Sequence, residues 1–455
     1  MSLLGILSMG VGALEAQQSG LETTANNLAN INTPGYCRQR PVLQEADPVL
    51  QGGVARGNGV RLEGIQSLRD AILDLQITDE SQEQGKAQAF TDAMNQLQPL
   101  FPSDTSGIGS EISGFFASLN NLSTNPSDLS LRQNVLAAAK SLASSFNSAA
   151  SQLSSVRGSL DQNAQQAVGE VNQLTQEIAG INAKLASLGE GAQDAGSFLD
   201  QRSSLIQQLS SLIDVSVTSS GNSLTLTSKQ GVPLVVDGQS FSLTAALDPA
   251  SGVQHLYSQG NDVTTQISGG QLGGILAARD QTLSSQQAAL DSLAAGLVKA
   301  LNAAHHLGFD LNGQAGGDLF TPVSGAGSAA GMALAFSDPR LLAASSDATS
   351  GSNGNLANLS AVASQPISNG MTPQQAYGDL VFQVGSAASD GKTELNASQA
   401  MLQQLQQQQA AVSGVSLDEE ASNLLLYQRA YQAAAQSITA VDQMLQTVIN
   451  MGAGG

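Results

Sequence analysis

The sequence predicts a mainly α protein with small β inserts, built as a discontinuous multi-domain chain: N- and C-terminal helices form one coiled-coil-like terminal domain, joined to a long-helix middle domain and a small β-meander domain. Three observations lead there. Apolar residues step by three and four at both ends, the same step runs on from Leu131 to Leu188, and it gives way to alternation between Val215 and Leu243. A period of 3.5 to 3.6 is the signature of a helix with one sticky stripe, and a period of two that of a half-buried strand.

The first helix carries Leu4, Leu7, Val11, Leu14, Leu21, Ala25 and Leu28, and the last carries Leu424, Tyr427, Tyr431, Ala434, Ile438, Val441, Leu445 and Val448. One stripe alone has nothing to bury against, so each of these helices gains order only with the other terminus or a neighbouring molecule. Pro34 disfavours helix at Thr33, and Gly35 supplies the positive φ of a type II turn, so the first helix stops there. Tyr36 to Leu62, rich in Gly, Pro and Val and punctuated by Gly52-Gly53, reads as turns and short extended pieces. Helix is expected to resume near Ile65, on the spacing Ile65, Leu68, Ile72 and Leu75.

The long pattern begins after the start signal Asn125-Pro126-Ser127 and ends at Gly189, with two steps of four around Leu160 that form a stutter beside Gly158. Leu199, Arg202, Leu205, Leu209 and Leu212 continue as helix. Val215, Val217, Leu224, Leu226, Phe241 and Leu243, parted by Gly221-Asn222, Gly231 and Asp237-Gly238, predict a β-meander, read as a decoration between helices. After Gly269-Gly270 the helix returns through Leu301, Gly308 to Gly354 is loop-rich, and Ala376 to Val412 is helical again. The expected domains are 1–33 with 416–455, a turn-rich linker 34–64, a helical body of 65–213 with 271–307 and 355–415, a β domain 214–270 and a loop-rich insert 308–354.

Composition excludes several functions. A net charge of −20 repels phosphate backbones, so nucleic acid is not an expected partner. With 12% charged residues, 4% aromatic and no Trp, the chain suits helices packing on copies of themselves better than a recognition pocket. No stretch reaches the ~18 to 20 apolar residues of a membrane span. The first basic residue is Arg38, so the apolar start lacks the positive region of a cleavable export signal. A lone Cys37 makes no intrachain disulfide.

Catalytic constellations are absent from the pattern, and no cofactor is expected. His255 and the pair His305-His306 lack metal-site spacing and are expected to be surface groups, the pair cationic at a helix end. Asp310-Leu-Asn312-Gly313 opens like a calcium loop, but Ala315 and Thr321 stand where Gly and Glu are required. Gly325-Ala-Gly327-Ser-Ala-Ala-Gly331 misses the dinucleotide spacing and reads as a flexible loop. Asp418, Glu419 and Glu420 are expected at the positive end of a helix.

The segment Ala25-Asn26-Asn27-Leu28-Ala29-Asn30-Ile31-Asn32-Thr33-Pro34-Gly35-Tyr36 resembles the N-terminal signature of bacterial flagellar rod, hook and hook-associated proteins. Asp418-Glu419-Glu420 with Leu426-Tyr427-Gln428-Arg429-Ala430-Tyr431, Phe198-Leu199-Asp200-Gln201-Arg202, and Gly273-Gly274-Ile275-Leu276-Ala277-Ala278-Arg279-Asp280 are most similar to the hook-associated FlgK family of first hook-filament junction proteins. Cys37 departs from the small hydroxyl residue expected after Gly-Tyr. The resemblance implies an axial, extracellular structural adaptor, exported without cleavage by the flagellar type III apparatus. Its implied partners are a homo-oligomeric ring of copies, the hook protein, a second junction protein, and a cytoplasmic export chaperone at the C-terminal helix. A hook or rod subunit, or an axial protein carrying a hydrolase insert, are the rival readings.

Overall fold

The spine of the molecule is a helix of 60 residues, α4 (Leu129–Leu188), about 90 Å long at 1.5 Å per residue. Asp128 starts it by accepting from the amides of Ser130 (2.7 Å) and Leu131 (3.2 Å). Its buried face follows the sequence period from Val135, Leu142, Phe146 and Leu153 through Leu160, Ala164, Val171, Ile178 and Leu185. The computed structural model describes residues 3–33, 35–51, 54–102, 107–188, 195–220, 223–249, 252–349 and 351–453; Pro34, Gly52-Gly53, Gly189 and Gly221-Asn222 lie outside these.

Around α4 pack α2 (Ala71–Leu97), α3 (Ile108–Leu122), α5 (Ala195–Leu212), α6 (Gly270–Leu276) and α7 (Ser284–His306); α8 (Gly354–Ala361) lies against α3 and α7, and α9 (Pro373–Ser413) returns antiparallel to α2. A π-helical turn, Ala277–Leu283, joins α6 to α7. It lies level with the stutter in α4, because buried Arg279 bonds Asp161 at 2.8 Å while holding its own neighbour Asp280 at 2.7 Å. The Gly273-Gly274 pair is a packing device: a Cβ on Gly274 would lie 2.2 Å from the carbonyl oxygen of Lys86 in α2.

Between α5 and α6 run β5 (Ser216–Ser220), β6 (Ser223–Thr227), β7 (Pro233–Val236) and β8 (Gln239–Ser240) as one antiparallel sheet. A second sheet has the order β11 (Asn261–Asp262), β10 (Gln254–Ser258), β9 (Leu243–Leu247). These strands are not an appendage. Leu224, Leu226, Leu234, Val235 and Leu243 belong to the same continuous core as α4, and Asn172 and Asn182 of α4 donate to the carbonyls of Leu243 and Leu224. Among its described residues, the loop-rich segment after α7 holds isolated bridges and a short 3-10 turn, Pro339–Leu341.

Two expectations fail near the N-terminus and in the loops. Ile65 is not helical: it sits in β4 (Val60–Ser67), opposite Pro41 of β1 (Gln39–Glu45), and helix begins only at Ala71 after the cap Asp70. Ile72 and Leu75 consequently face outward. The Gly325–Gly331 loop is tied down, since Asp291 of α7 accepts from the amides of Gly327 (2.9 Å) and Ala329 (2.8 Å), and Asn147 donates to the carbonyls of Ala329 and Ala330. The chain also has an antiparallel strand pair, β2 (Val49–Gln51) with β3 (Val54–Arg56), and the terminal helices α1 (Leu3–Ala29) and α10 (Leu417–Ala453).

Candidate assembly interface

The terminal helices pair with each other inside one chain. Tyr427 of α10 lies over Gly20 of α1 and Ile438 over Gly10, so the two run antiparallel. Glycine makes the approach possible, because a Cβ at Gly10 or Gly20 would come within 2.7 Å of those side chains.

The buried face of α1 differs from the expected stripe. Ala16, Ser19, Gly20, Thr23, Thr24 and Asn27 point inward, a 3-4 spacing of small and polar residues one step round the helix from Leu14, Leu21 and Leu28. Val11 and Leu28 are exposed, Leu7, Leu14 and Leu21 half-buried, and the side chain of Leu4 lies outside the described residues. Close helix contact selects small residues for the inner face and leaves the larger aliphatic ones at its margin and outside. On α10, Leu424, Tyr427, Ile438 and Leu445 are half-buried and Val441 is buried, whereas Tyr431 and Val448 are exposed. Leu425, Leu426, Met444 and Ile449 form further exposed apolar positions.

The Asn-rich end of α1 and the acidic start of α10 meet at the mouth of this pair. Gly35 takes φ +77° and Tyr36 N–H donates to the Thr33 carbonyl at 3.2 Å, turning the chain back from α1. The turn brings the Tyr36 hydroxyl onto the Asn27 side-chain oxygen at 2.8 Å, and the Gln39 amide donates to that same oxygen at 2.9 Å. The Asn27 amide in turn donates to the Gln39 carbonyl (2.8 Å) and to Glu420 (3.1 Å). Arg38 completes the clasp with an Nε bond to Glu420 at 2.7 Å and a second bond to Glu419. Burial, together with the charges of Asp200 and Glu420, pushes the Tyr36 hydroxyl up to about 12, so it remains a donor throughout the ordinary pH range.

Glu420 therefore does more than complement a helix terminus. It is 1% exposed and holds both Asn27 and Arg38, whereas Asp418 and Glu419 stay at the surface. Asn26 and Asn30 bond each other and close the end of α1, with Thr33 donating to Asn30. Ala25 and Ala29 are exposed.

A second set of bonds anchors the clasp to the helical body. Asp200 of α5 pairs with Arg69 and accepts from the Cys37 amide at 3.4 Å, and Arg38 N–H donates to Ser413 at the end of α9 at 2.9 Å. Burial raises both the Asp200 carboxyl and the Cys37 thiol above their usual ranges. Sequence reasoning gave no role to Arg38, Gln39 or Arg69; the partners of the two arginines lie 382 and 131 residues away, and Gln39 reaches Asn27 only because the chain turns back at Gly35.

The histidines correct another expectation. His305 is fully buried and neutral: its Nδ1 donates to the Gly317 carbonyl at 2.6 Å and its Nε2 accepts from the Ala343 amide at 2.9 Å. Burial holds its pKa below the ordinary value. His306 is at the surface beside Asp318, and His255 beside Asp262. Among the described residues there is no group of three or more His, Cys, Asp or Glu with metal-site geometry, and no helix long and apolar enough to cross a membrane.

Residues 94–320 match the family described as the flagellar hook-associated protein FlgK helical domain. Residues 7–36 match the flagella basal body rod protein family, and 406–451 the C-terminal family of flagellar basal body rod FlgEFG proteins. Flagellar hook-associated protein 1 of Bacillus subtilis (strain 168) is 29% identical over 493 residues, covering 97% of each chain. The protein of that name from Escherichia coli (strain K12) is 25% identical over 546 residues, covering 98% of this chain and 99% of the relative. The solved structure of the flagellar hook junction protein FlgK from Burkholderia pseudomallei superposes with a TM-score of 0.69 at 20% identity, over 74% of this chain and 100% of that one. The fold is shared.

Proposed function

The chain belongs to the family of flagellar hook-associated proteins, and from that premise we propose that it is the structural adaptor between hook and filament. The observation that carries the reading is the terminal pair itself: α1 and α10 satisfy each other through small residues and a polar clasp, and keep Val11, Leu425, Leu426, Met444 and Ile449 turned outward. Apolar side chains held outside on a stiff helix pair are surfaces for other subunits. Copies of this chain would form a ring through them, with the hook protein on one side and a second junction protein on the other.

The reading includes delivery to the outside of the cell through the flagellar type III apparatus, with a cytoplasmic chaperone covering α10 beforehand. The exposed apolar face of α10 is what such a chaperone would shield. No catalytic step belongs to it: both ring nitrogens of the buried histidine are occupied by backbone, and Asp291 and Glu420 are occupied by structural bonds.

Electron microscopy of a deletion strain tests the proposal. Hooks without filaments, with the protein immunolabelled at hook ends in the parent strain, are expected. Missing hooks would reassign it to the hook or rod, and normal filaments would remove it from the junction.

A further inference from the structure

Outside the terminal domain, the helical body carries a groove of about 1040 Å³. It follows the outer face of α7 from Ser284 to His306, about 33 Å at the rise of a helix, under the loop of residues 318–326. Ala288, Ala295, Val323 and Ile367 give it an apolar lining, and Arg157 of α4 and Lys299 of α7 enter it. Lys299 has no ion pair among the described residues, and the Arg157 Nε–H is buried without a hydrogen-bond partner. The other charged groups in the groove are already engaged: Asp291 by two backbone amides, and His306 with Asp318. A buried donor left unpaired is costly, which marks this end of the groove as incomplete in the single chain.

The same chain displays a matching knob. Phe382 of α9 is 70% exposed. Asp379, Phe382, Ser386 and Asp390 follow one another by three and four residues and so share a face of that helix, an aromatic ring flanked by carboxylates. From Asp379 to Asp390 the stripe spans about 17 Å, which fits within the groove.

We propose that Phe382 of a second copy seats in the groove along α7, with its flanking Asp379 and Asp390 meeting Lys299 and Arg157. Knob and groove are different surfaces, so the contact is head-to-tail and adds a lateral joint between subunits beyond their terminal helices. It rests on the chain working as a repeated subunit, but not on the terminal helices being the place where copies join.

The test uses full-length purified chain with photoreactive benzoylphenylalanine at position 382, irradiated at high concentration. An intermolecular adduct mapping to residues 284–306 or 318–326 is expected. Lys299→Glu, at an exposed position that leaves folding intact, should lower the yield roughly tenfold through like-charge contact, and adding Asp379→Lys should restore it. No intermolecular adduct, an adduct elsewhere, or a yield indifferent to Lys299→Glu overturns the proposal. Adding Ile438→Asp separates the two readings, because the adduct should survive damage to the terminal pair.

Discussion

The terminal pair and the helical body are both built from long helices, yet they are held by opposite means. The body owns a continuous core running from α2 to α9 and through both sheets, which among the described residues includes none of α1 or α10. In the pair, the buried apolar side chains among the described residues are Ala16 and Val441; α1 lines its inner face with Ser, Gly, Thr and Asn, and half-buried Tyr427 and Ile438 of α10 lie against its glycines. The body buries a core of its own within one chain. The pair spends its inner face on close approach and a polar clasp, and keeps further apolar side chains, Leu425, Leu426, Met444 and Ile449 among them, for contacts outside the chain.

The largest effect that could break this contrast is a cavity in the body. Phe146→Ala removes a wholly buried ring from the N-terminal third of α4 and should cost about 3 to 5 kcal/mol in denaturant unfolding of the purified chain. A cost under about 1 kcal/mol would show that the body is packed as loosely as the termini.

Next comes Ile438→Asp, against Gly10 in the terminal pair. A carboxylate there should weaken the pair by about 2 to 3 kcal/mol, abolish filament attachment and leave the melting of the body unchanged. Gln436→Asp, on an exposed position, should be far milder. Normal filaments with Ile438→Asp would show that α1 and α10 do not act as a pair in the assembled structure.

Glu420→Gln sharpens the comparison further. The amide keeps the shape of the side chain but loses the charge that Arg38 meets, and should cost about 1 to 2 kcal/mol of local stability. Hydrogen exchange should show faster opening around Asn27 and Tyr36 with no change along α4. Equal acceleration in α4 would mean that clasp and body open together.

The smallest effect is a pH dependence confined to the body. The folded-state pKa of His305 lies below its unfolded value near 6.5, so the unfolded chain takes up the proton first. The contribution of neutral His305 is complete above pH 6.5 and is lost as pH falls from there toward the folded pKa. His305→Gln should flatten that slope in pH-dependent unfolding, while exchange at the terminal pair stays the same. An unchanged slope would assign the dependence to another group.

Much of this was legible in the residues because local periodicity reports local structure. The 60-residue helix was readable from Leu131 onward, since helical spacing needs no knowledge of the partner. The alternation from Val215 and the turn at Gly35 were readable for the same reason. Ile65 was misread because four residues spaced by three and four fit a helix or, as here, a strand followed by a helix cap.

What tertiary structure alone decided is which face of each helix is inside. Leu28 and Val11 advertise a buried stripe by hydrophobicity, but the approach of α10 to Gly10 and Gly20 is too close for bulk, so the small residues beside them take the contact. Likewise, Asn27 and Glu420 announce themselves as a helix-end amide and a helix-start acid. Their meeting joins positions 393 residues apart and turns two local signals into one buried clasp. Sequence determined the helices, their breaks and the charge of the chain, because those follow from neighbours a few residues away. The choice of partners waited for the fold, because burial is settled by what arrives from elsewhere in the chain.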